Sequence, residues 1–209
     1  MKAVVISAYP CCGKSYCYEK LKKQYVMLDS DSSQFSWITR KPTQEEVEAY
    51  AKRLKDEGKT FLIGTDYVVK QYADSEIRER NPEFPANYIK HIQEYINEVD
   101  IIFVSSHLEV RKALQEAEIE YVTVYPDTDL LEEWFGRMYL RKSPEAFIIF
   151  QIEKWNEFTK EVDNEPHGKY VHRLKPRQYL SDVIDDIVAT CHDTKTVIRD
   201  VIVPDPRKE

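Results

Sequence analysis

Short β-rich runs alternate with helical patterns along most of the 209-residue chain, and this alternation restricts the possible folds more than any other feature. The run Ile101-Ile102-Phe103-Val104 is continuously apolar, as expected of a strand that is covered on both faces. Strands that alternate with helices predict a parallel α/β sheet with helices on both faces, in three layers. The predicted strands lie at residues 2–7, 24–28, 101–105, 121–124 and 169–174.

Helical patterns fill most of the remaining chain, and one stretch breaks the alternation. Residues 36–80 contain a charged helical pattern over 43–57, which begins with a capping-box sequence at Thr43 and Glu46, and an apolar run over 60–69 follows. We therefore expect a single domain over residues 1–209, with 36–80 as either an insertion or an elaborated acceptor-binding region. The other predicted helices lie at residues 15–23, 85–97, 108–118, 129–142, 144–161 and 180–189.

The balance of charge and the cysteine pattern disfavour several classes of protein. The chain has 30 Lys and Arg against 37 Asp and Glu, a net charge of −7, which argues against non-specific binding of a nucleic-acid duplex. No apolar run approaches the ~20 residues of a membrane helix, and the first residues form too short an apolar stretch for a signal peptide. The four cysteines fit neither a zinc site nor a disulfide framework. We expect a cytoplasmic protein without a membrane partner.

The most specific motif is Ala-Tyr-Pro-Cys-Cys-Gly-Lys-Ser at residues 8–15, between the first predicted strand and the first predicted helix. It matches the phosphate-loop pattern G-x-x-x-x-G-K-[ST] at its last three positions and has Ala8 in place of the first glycine. In that pattern backbone N–H groups bind phosphate oxygens, the lysine reaches the β- and γ-phosphates, and the hydroxyl binds Mg²⁺. The motif predicts a nucleoside triphosphate site with Ser15 as the metal ligand; an ordinary strand-to-helix turn is the alternative. The predicted nucleotide-binding residues are Pro10, Cys11, Cys12, Gly13, Lys14, Ser15 and Tyr16.

With this loop, the chain resembles the small P-loop kinases, which include nucleoside and nucleotide kinases, gluconate- and shikimate-type kinases and polynucleotide 5′-kinases. It is especially similar to short, often phage-encoded nucleotide kinases. The resemblance covers most of the chain outside residues 36–80, and only the loop is highly specific. It implies ATP as the donor, with Mg²⁺. The matching segments are residues 8–15, 28–32, 81–85 and 103–107 and the helix that carries Arg137 and Arg141.

Two acidic residues, Asp29 and Asp31, follow the second predicted strand, at the edge where open α/β sheets bind ligands. In the resembling kinases an acidic residue at this place accepts the proton of the attacking hydroxyl or orients the acceptor. The pair could instead hold Mg²⁺ through water, or close an Asx turn. We favour Asp29 as the base because it is nearest the strand end. The third predicted strand ends in Ser105-Ser106 without an acid, which disfavours motor ATPases and GTPases.

Four arginines are candidates for binding phosphate, acceptor or base. Arg137 and Arg141 share a helix face, and the resemblance implies a lid over residues 129–145 whose arginines stabilise charge on the transferring phosphate. The alternative is an exposed helix with a Glu133–Arg137 pair. The resemblance also implies that Arg111 binds the acceptor and Arg177 contacts the adenine, whereas a surface position is the simpler interpretation of both.

Two further expectations concern cysteines and large apolar residues. Cys11 and Cys12 precede a predicted helix N-terminus, where the dipole favours a reactive thiolate, unless both are buried fillers. The apolar residues of the later helices are expected in the core rather than in a base-stacking site. They are Trp134, Met138, Phe147 and Trp155.

These residues together predict an ATP-dependent kinase that phosphorylates a small acceptor, and a nucleoside monophosphate is the favoured acceptor. One alternative is a kinase that acts on a polynucleotide end or on a modified base in DNA. Another is a regulatory module that binds ATP and transfers nothing. A kinase differs from a module that only binds ATP in needing acceptor and transition-state residues. In this chain the candidates are Asp29, Asp31 and the two helix arginines, which a protein that only binds ATP does not need.

Overall fold

The computed structural model describes residues 2–59, 61–164 and 170–197 of the chain. Short 3₁₀ turns lie at Val162–Asn164 and Leu180–Asp182. In chain order the other elements are β1 (Val4–Ala8), α1 (Lys14–Leu21), β2 (Met27–Asp29), α2 (Ser33–Ser36), β3 (Trp37–Arg40), α3 (Gln44–Asp56), α4 (Thr65–Asp74), β4 (Ile77–Arg80), α5 (Ala86–Tyr95), β5 (Ile101–Val104), α6 (Leu108–Glu116), β6 (Tyr121–Pro126), α7 (Leu131–Leu140), α8 (Glu145–Glu153), α9 (Trp155–Glu161), β7 (Tyr170–Leu174) and α10 (Ile184–Val197).

Five strands form one parallel sheet in the order β2-β5-β1-β6-β7. Every residue of β1, β5 and β6 is buried. Since successive residues of a strand point to opposite faces, these central strands are covered on both sides. The predicted parallel α/β sheet is therefore confirmed.

The order of the strands locates a crevice beside β1. From β1 the chain passes to β2 at one edge, then returns through β5 and continues past β1 to β6 and β7. Ligands of open α/β sheets bind outside the carboxyl ends of the strands, where the direction of winding reverses. In this sheet the reversal follows β1, directly before the loop that the motif at residues 8–15 occupies.

Packing changes two of the predicted helices. The pattern over residues 144–161 is continuous in sequence, but the structure divides it into α8 and α9 at Lys154. The reason is Trp155, which is buried and whose indole N–H donates to the carbonyl of Thr128 at 2.8 Å. Similarly, the helix predicted over residues 180–189 begins with a 3₁₀ turn before α10.

Large apolar side chains of the later helices form part of the core, as predicted. Trp134, Met138 and Trp155 are buried, and Phe147 is partly buried against the same cluster. The indole N–H of each of these two tryptophans has a backbone acceptor. Trp155 donates to the carbonyl of Thr128, and Trp134 donates to the carbonyl of Pro10 at 2.8 Å. Within the ranges that the structure describes, no helix has both the length and the apolar character needed to cross a membrane.

The chain divides into two compact units. The first contains the parallel sheet, with the described residues up to Ser32 and from Tyr88 onward. The second, Ser33–Asn87, contains the antiparallel pair β3–β4 and the helices α3 and α4.

The capping box predicted for the second unit is confirmed. The Thr43 hydroxyl accepts from the backbone N–H of Glu46 at 3.3 Å, and the Glu46 carboxylate accepts from the N–H of Thr43 at 2.8 Å. The predicted insertion at 36–80 lies inside this unit, which extends slightly beyond it at both ends. The strands β3 and β4 were not predicted, because four-residue strands with mixed polar and apolar residues carry too little periodicity to detect.

Candidate functional site

A cavity of about 530 Å³ lies at the carboxyl ends of β1, β2 and β5, wholly within the first unit. It is where the strand order places a ligand crevice. Ten of the residues predicted for the site line it, together with five that were not predicted. The predicted ones are Pro10, Cys11, Gly13, Lys14, Ser15, Tyr16, Asp29, Asp31, Arg137 and Arg141; the others are Ser30, Ser105, Leu140, Phe147 and Tyr179.

The loop before α1 has two residues in the left-handed region, Cys11 with φ 65° and Gly13 with φ 93°. Glycine is favoured at position 13 for a second reason, because a Cβ atom there would lie 3.2 Å from Cδ1 of Tyr179, whose ring would have to shift by a few tenths of an ångström. A backbone hydrogen bond also fixes the loop, because the N–H of Leu180 donates to the carbonyl of Cys12 at 2.9 Å. The resulting curl keeps the loop backbone open to the cavity.

Helix α1 begins at this loop with Gly13 as its N-cap. Because glycine has no side chain to cap the helix, the first amides of α1 have no acceptor from the cap residue. Those N–H groups and the positive end of the helix dipole favour an anion at this place. Lys14, Ser15 and Tyr16, the first three residues of α1, all line the cavity.

The side chain of Lys14 turns back onto its own loop. Its Nζ donates to the carbonyl of Ala8 at 2.7 Å, and burial of the ammonium lowers the pKa of Lys14 below its ordinary value. Ala8 is the fully buried last residue of β1, so its backbone is extended and needs no glycine. Ala8 therefore occupies its position in the motif without the left-handed backbone conformation that would favour glycine.

Oxygen atoms from α1 and from the end of β2 meet on one side of the cavity. The Ser15 hydroxyl donates to Oδ2 of Asp29 at 3.5 Å, and both side chains are exposed. Ser30 is buried, and its Oγ has no hydrogen-bond partner among the described residues. Its backbone is fixed by Tyr88, whose hydroxyl donates to the Ser30 carbonyl at 2.7 Å. This corner thus presents an exposed carboxylate and an exposed hydroxyl, those of Asp29 and Ser15.

The two helix arginines differ in their surroundings. Arg137 is buried, and its guanidinium lies 4.0 Å from the ring centre of Trp134 and 3.9 Å from that of Tyr179. It also pairs with Glu133 at 2.6 Å, so both the cavity position and the helix pair suggested by the sequence are present. Arg141 is exposed at the end of α7 and lines the cavity.

Two predicted arginines do not reach the cavity. Arg111 is 1% exposed, and its guanidinium lies 2.9 Å from the Tyr125 hydroxyl and 3.4 Å from the Glu161 carboxylate. The prediction of an acceptor-binding role for Arg111 therefore finds no support in its position. Arg177 is exposed, and its backbone N–H donates to Glu133, but the residue does not line the cavity.

The adjacent cysteines separate into a buried and a half-buried thiol. Cys12 is buried beneath the loop, and desolvation raises its pKa to about 12, because burial outweighs the nearby Lys14. Cys12 therefore matches the alternative of a buried filler, and a reactive thiolate stays a prediction for Cys11. Cys11 is half-buried and lines the cavity.

Five lining residues were missed because little in the sequence identifies them. Ser30 lies between the two predicted acids, so its position was a usable signal. Tyr179 follows the last strand by several residues and belongs to no motif.

Within the part of the chain that the structure covers, no three His, Cys, Asp or Glu side chains are grouped so that they could hold a metal ion. A cation at this cavity would therefore depend on Ser15, Asp29 and water.

A scan against known protein families finds no match for this chain, and a search of curated proteins finds no relative.

Proposed function

We propose that this chain is a P-loop kinase that transfers the γ-phosphoryl group of ATP to a small acceptor, with a nucleoside monophosphate as the favoured acceptor. One observation carries the proposal. A single cavity contains the Gly13 loop, a lysine, a hydroxyl–carboxylate pair and two arginines. Phosphoryl transfer needs little more than these parts, because it depends on positioning and on stabilising negative charge.

The cavity fits a bound nucleotide. Its volume of about 530 Å³ lies within the ~300–1,000 Å³ common for small-molecule sites. The loop at Cys11 and Gly13 forms a concave backbone surface that a side chain at Gly13 would disturb.

The first turn of α1 would hold the phosphates. Mg·ATP supplies the phosphoryl group together with a cation that neutralises its oxygens. The N–H groups at Lys14, Ser15 and Tyr16 would bind anionic oxygens, and the ammonium of Lys14 would leave the Ala8 carbonyl to meet them. The Ser15 hydroxyl would ligate the cation, while Asp29 orients that hydroxyl through the contact at 3.5 Å.

The acids after β2 would serve the acceptor. Asp29 and Asp31 both line the cavity, so either carboxylate is a candidate to accept the proton of an attacking hydroxyl. Ser30 lies between them in sequence and also lines the cavity. Asp29 additionally touches Ser15, which links the acceptor side to the metal side of the cavity.

The arginines and Tyr179 would complete the site. Arg141 is exposed and lines the cavity, so its guanidinium can approach negative charge that develops during transfer. Arg137 is held by Glu133 and two aromatic rings, and it contributes a fixed positive charge. The ring of Tyr179 is 40% exposed, which suits contact with a nucleobase.

The decisive experiment is transfer of label from [γ-³²P]ATP to a panel of nucleosides, nucleotides, sugars and oligonucleotides. We expect a labelled nucleoside diphosphate with the wild-type protein and no product with Lys14→Ala. Lys20→Ala is the matched control, because Lys20 lies on the same helix but is exposed and does not line the cavity. Label on an oligonucleotide alone would assign the polynucleotide alternative.

A protein that only binds ATP would give a different result. It would bind ATP in a Lys14-dependent manner and would label no member of the panel at any magnesium concentration. Equal activity of Lys14→Ala and wild type, in protein whose circular dichroism is unchanged, would contradict the placement of the nucleotide at this loop.

A further inference from the structure

Helix α8 is apolar around its whole circumference, but only one side of it faces the core. Its nine residues include six apolar ones, which are Ala146, Phe147, Ile148, Ile149, Phe150 and Ile152. Ile148 and Gln151 are buried, and the amide oxygen of Gln151 accepts from the hydroxyl of Tyr9. Ile149, by contrast, is 49% exposed. Because a helix that is apolar all round is normally buried, we expect the exposed side of α8 to pack against another surface.

The exposed side of α8 lines a groove that it shares with α7, and the groove has a volume of about 710 Å³. Four large apolar side chains in the groove are between 46% and 81% exposed. Two of them, Phe135 and Tyr139, lie one turn apart on α7, with ring centres 6.4 Å from each other. Single exposed apolar side chains are common, whereas a contiguous group of them marks an interaction surface. We call the set Phe135, Tyr139, Leu140 and Ile149 the α7–α8 patch.

The area of the α7–α8 patch is close to the area that a stable dimer needs. A fully covered aromatic side chain buries ~150–250 Å². At the exposures given above, the four side chains of the patch would bury roughly 500 Å² in each copy, or roughly 1,000 Å² for two copies. A specific interface between proteins begins at about this total.

Two side chains of opposite charge line the same groove. Lys142 follows the end of α7, Glu145 is the first residue of α8, and both are exposed. In a two-fold symmetric pair every contact occurs twice, with the roles of the two copies exchanged. Lys142 of each copy can therefore meet the partner's Glu145. The groove is thus complementary to itself in charge as well as in apolar character.

We infer that two copies of this chain associate through the α7–α8 patch, with Lys142 and Glu145 paired across the interface. The net charge of −7 disfavours the anionic surface of a membrane as the occupant of the groove. The interface would lie beside the site cavity, because Leu140 lines both the groove and that cavity. The inference stands apart from phosphoryl transfer and does not require it.

Sedimentation velocity of the full-length protein over a range of concentrations tests this association. We expect a reversible equilibrium between monomer and dimer. Tyr139→Glu should raise the dissociation constant at least about tenfold, because it would place an unpaired carboxylate among apolar groups in the interface. Tyr67→Glu is the matched control, since it makes the same change on an exposed tyrosine of α4 outside the groove, and it should leave the constant unchanged. Circular dichroism checks that both variants are folded.

Reversal of charge tests whether the occupant of the groove is a second copy. Lys142→Glu would bring two carboxylates together at each of the two symmetric contacts, and Glu145→Lys would bring two ammonium groups together there. Each variant alone should therefore dimerise about tenfold more weakly than the wild type. An equimolar mixture of the two variants should recover the wild-type association, because every lysine of one chain then meets a glutamate of the other.

The outcomes separate this inference from the proposed kinase activity. Lys14→Ala should dimerise as the wild type does, even though it transfers no phosphate. A protein that stays monomeric at every concentration up to about 1 mM would overturn the inference and leave the groove to a different partner. Wild-type association in Tyr139→Glu, or a mixture of the charge-reversed variants that associates no better than either alone, would also overturn it.

Discussion

The side chain of Arg137 donates to Glu133 one helical turn earlier, with Nη2 2.6 Å from Oε1. The same carboxylate accepts the backbone N–H of Arg177, at 3.0 and 3.1 Å from its two oxygens. Arg137 also donates to the carbonyl of Gln178 at 2.8 Å. Helix α7 is thereby tied to the loop after β7, and Arg137 holds the walls of the cavity together while it lines the cavity.

Arg137→Ala is expected to reduce stability as well as activity. The side chain of Arg137 is only 7% exposed, so its removal leaves Glu133 and the Gln178 carbonyl without their cation. Breaking a buried pair of this kind costs about 2–3 kcal/mol when one partner is partly exposed. Urea denaturation followed by circular dichroism measures the loss. An unchanged free energy of unfolding would show that these bonds contribute nothing.

Arg141→Ala is the contrasting variant, four residues further along. Arg141 is exposed at the end of α7, so the free energy of unfolding should change by less than about 0.5 kcal/mol. We expect kcat for phosphoryl transfer to fall by about 10²-fold, the typical cost of removing one group that stabilises transition-state charge. Steady-state kinetics in the same buffer give the comparison. Wild-type kcat in Arg141→Ala would leave Arg137 as the only helix arginine with a function.

The local part of the candidate site could be predicted, because a short motif fixes it. Gly13, Lys14 and Ser15 are adjacent in sequence, and a strand end followed by a helix start places them without any long-range information. Asp29 was found because the carboxyl ends of parallel strands share one edge of the sheet. The parallel sheet itself followed from the alternation of strands and helices.

The rest of the candidate site could not be predicted, because it depends on side-chain packing that a single sequence does not reveal. The prediction for Arg111 assumed that its turn of α6 faces a ligand, whereas packing turns it toward Tyr125 and Glu161. Tyr179 reaches the site only because the loop after β7 lies against the Gly13 loop. The pairing of Trp37 with Arg80 across β3 and β4 was likewise not predictable, because the two residues are far apart in sequence.

We expect the rate of the reaction to fall on the alkaline side of its pH profile at an unusually low pH, because of Lys14. Burial lowers the pKa of its ammonium below 10.5, and the charged form is the one that binds phosphate. As pH rises through this lowered pKa the charge is lost, so kcat/KM for ATP should fall at a pH at which an ordinary lysine is still protonated. Lys14→Arg, although slower, should lack this limb because arginine keeps its charge. Identical profiles for the two proteins would assign the limb to another group.

Cys11 should be the thiol that reacts in the folded protein. Cys12, Cys17 and Cys191 are buried, whereas Cys11 is half-buried and lines the cavity. We expect one fast-reacting thiol with a disulfide reagent such as dithionitrobenzoate, and Cys11→Ser should remove that phase. Bound Mg·ATP should slow it, because the phosphates would cover the loop. Fast reaction of Cys12, or a Cys11 rate that ATP leaves unchanged, would contradict the arrangement of this loop.

The carboxylates after β2 provide the final prediction. Asp29→Asn and Asp31→Asn keep the size of the side chain but remove the basic oxygen, so the residue that accepts the proton should lose about 10²–10⁴ in kcat. ATP affinity should change little in that variant, because the loop and Lys14 hold the triphosphate. Asp29 also contacts the Ser15 hydroxyl at 3.5 Å, so Asp29→Asn should in addition raise the magnesium concentration needed for half-maximal rate, and Asp31→Asn should not. A magnesium titration of both variants separates the two roles. Normal rates in both variants would show that neither carboxylate is catalytic and that the pair only closes a turn at the end of the strand.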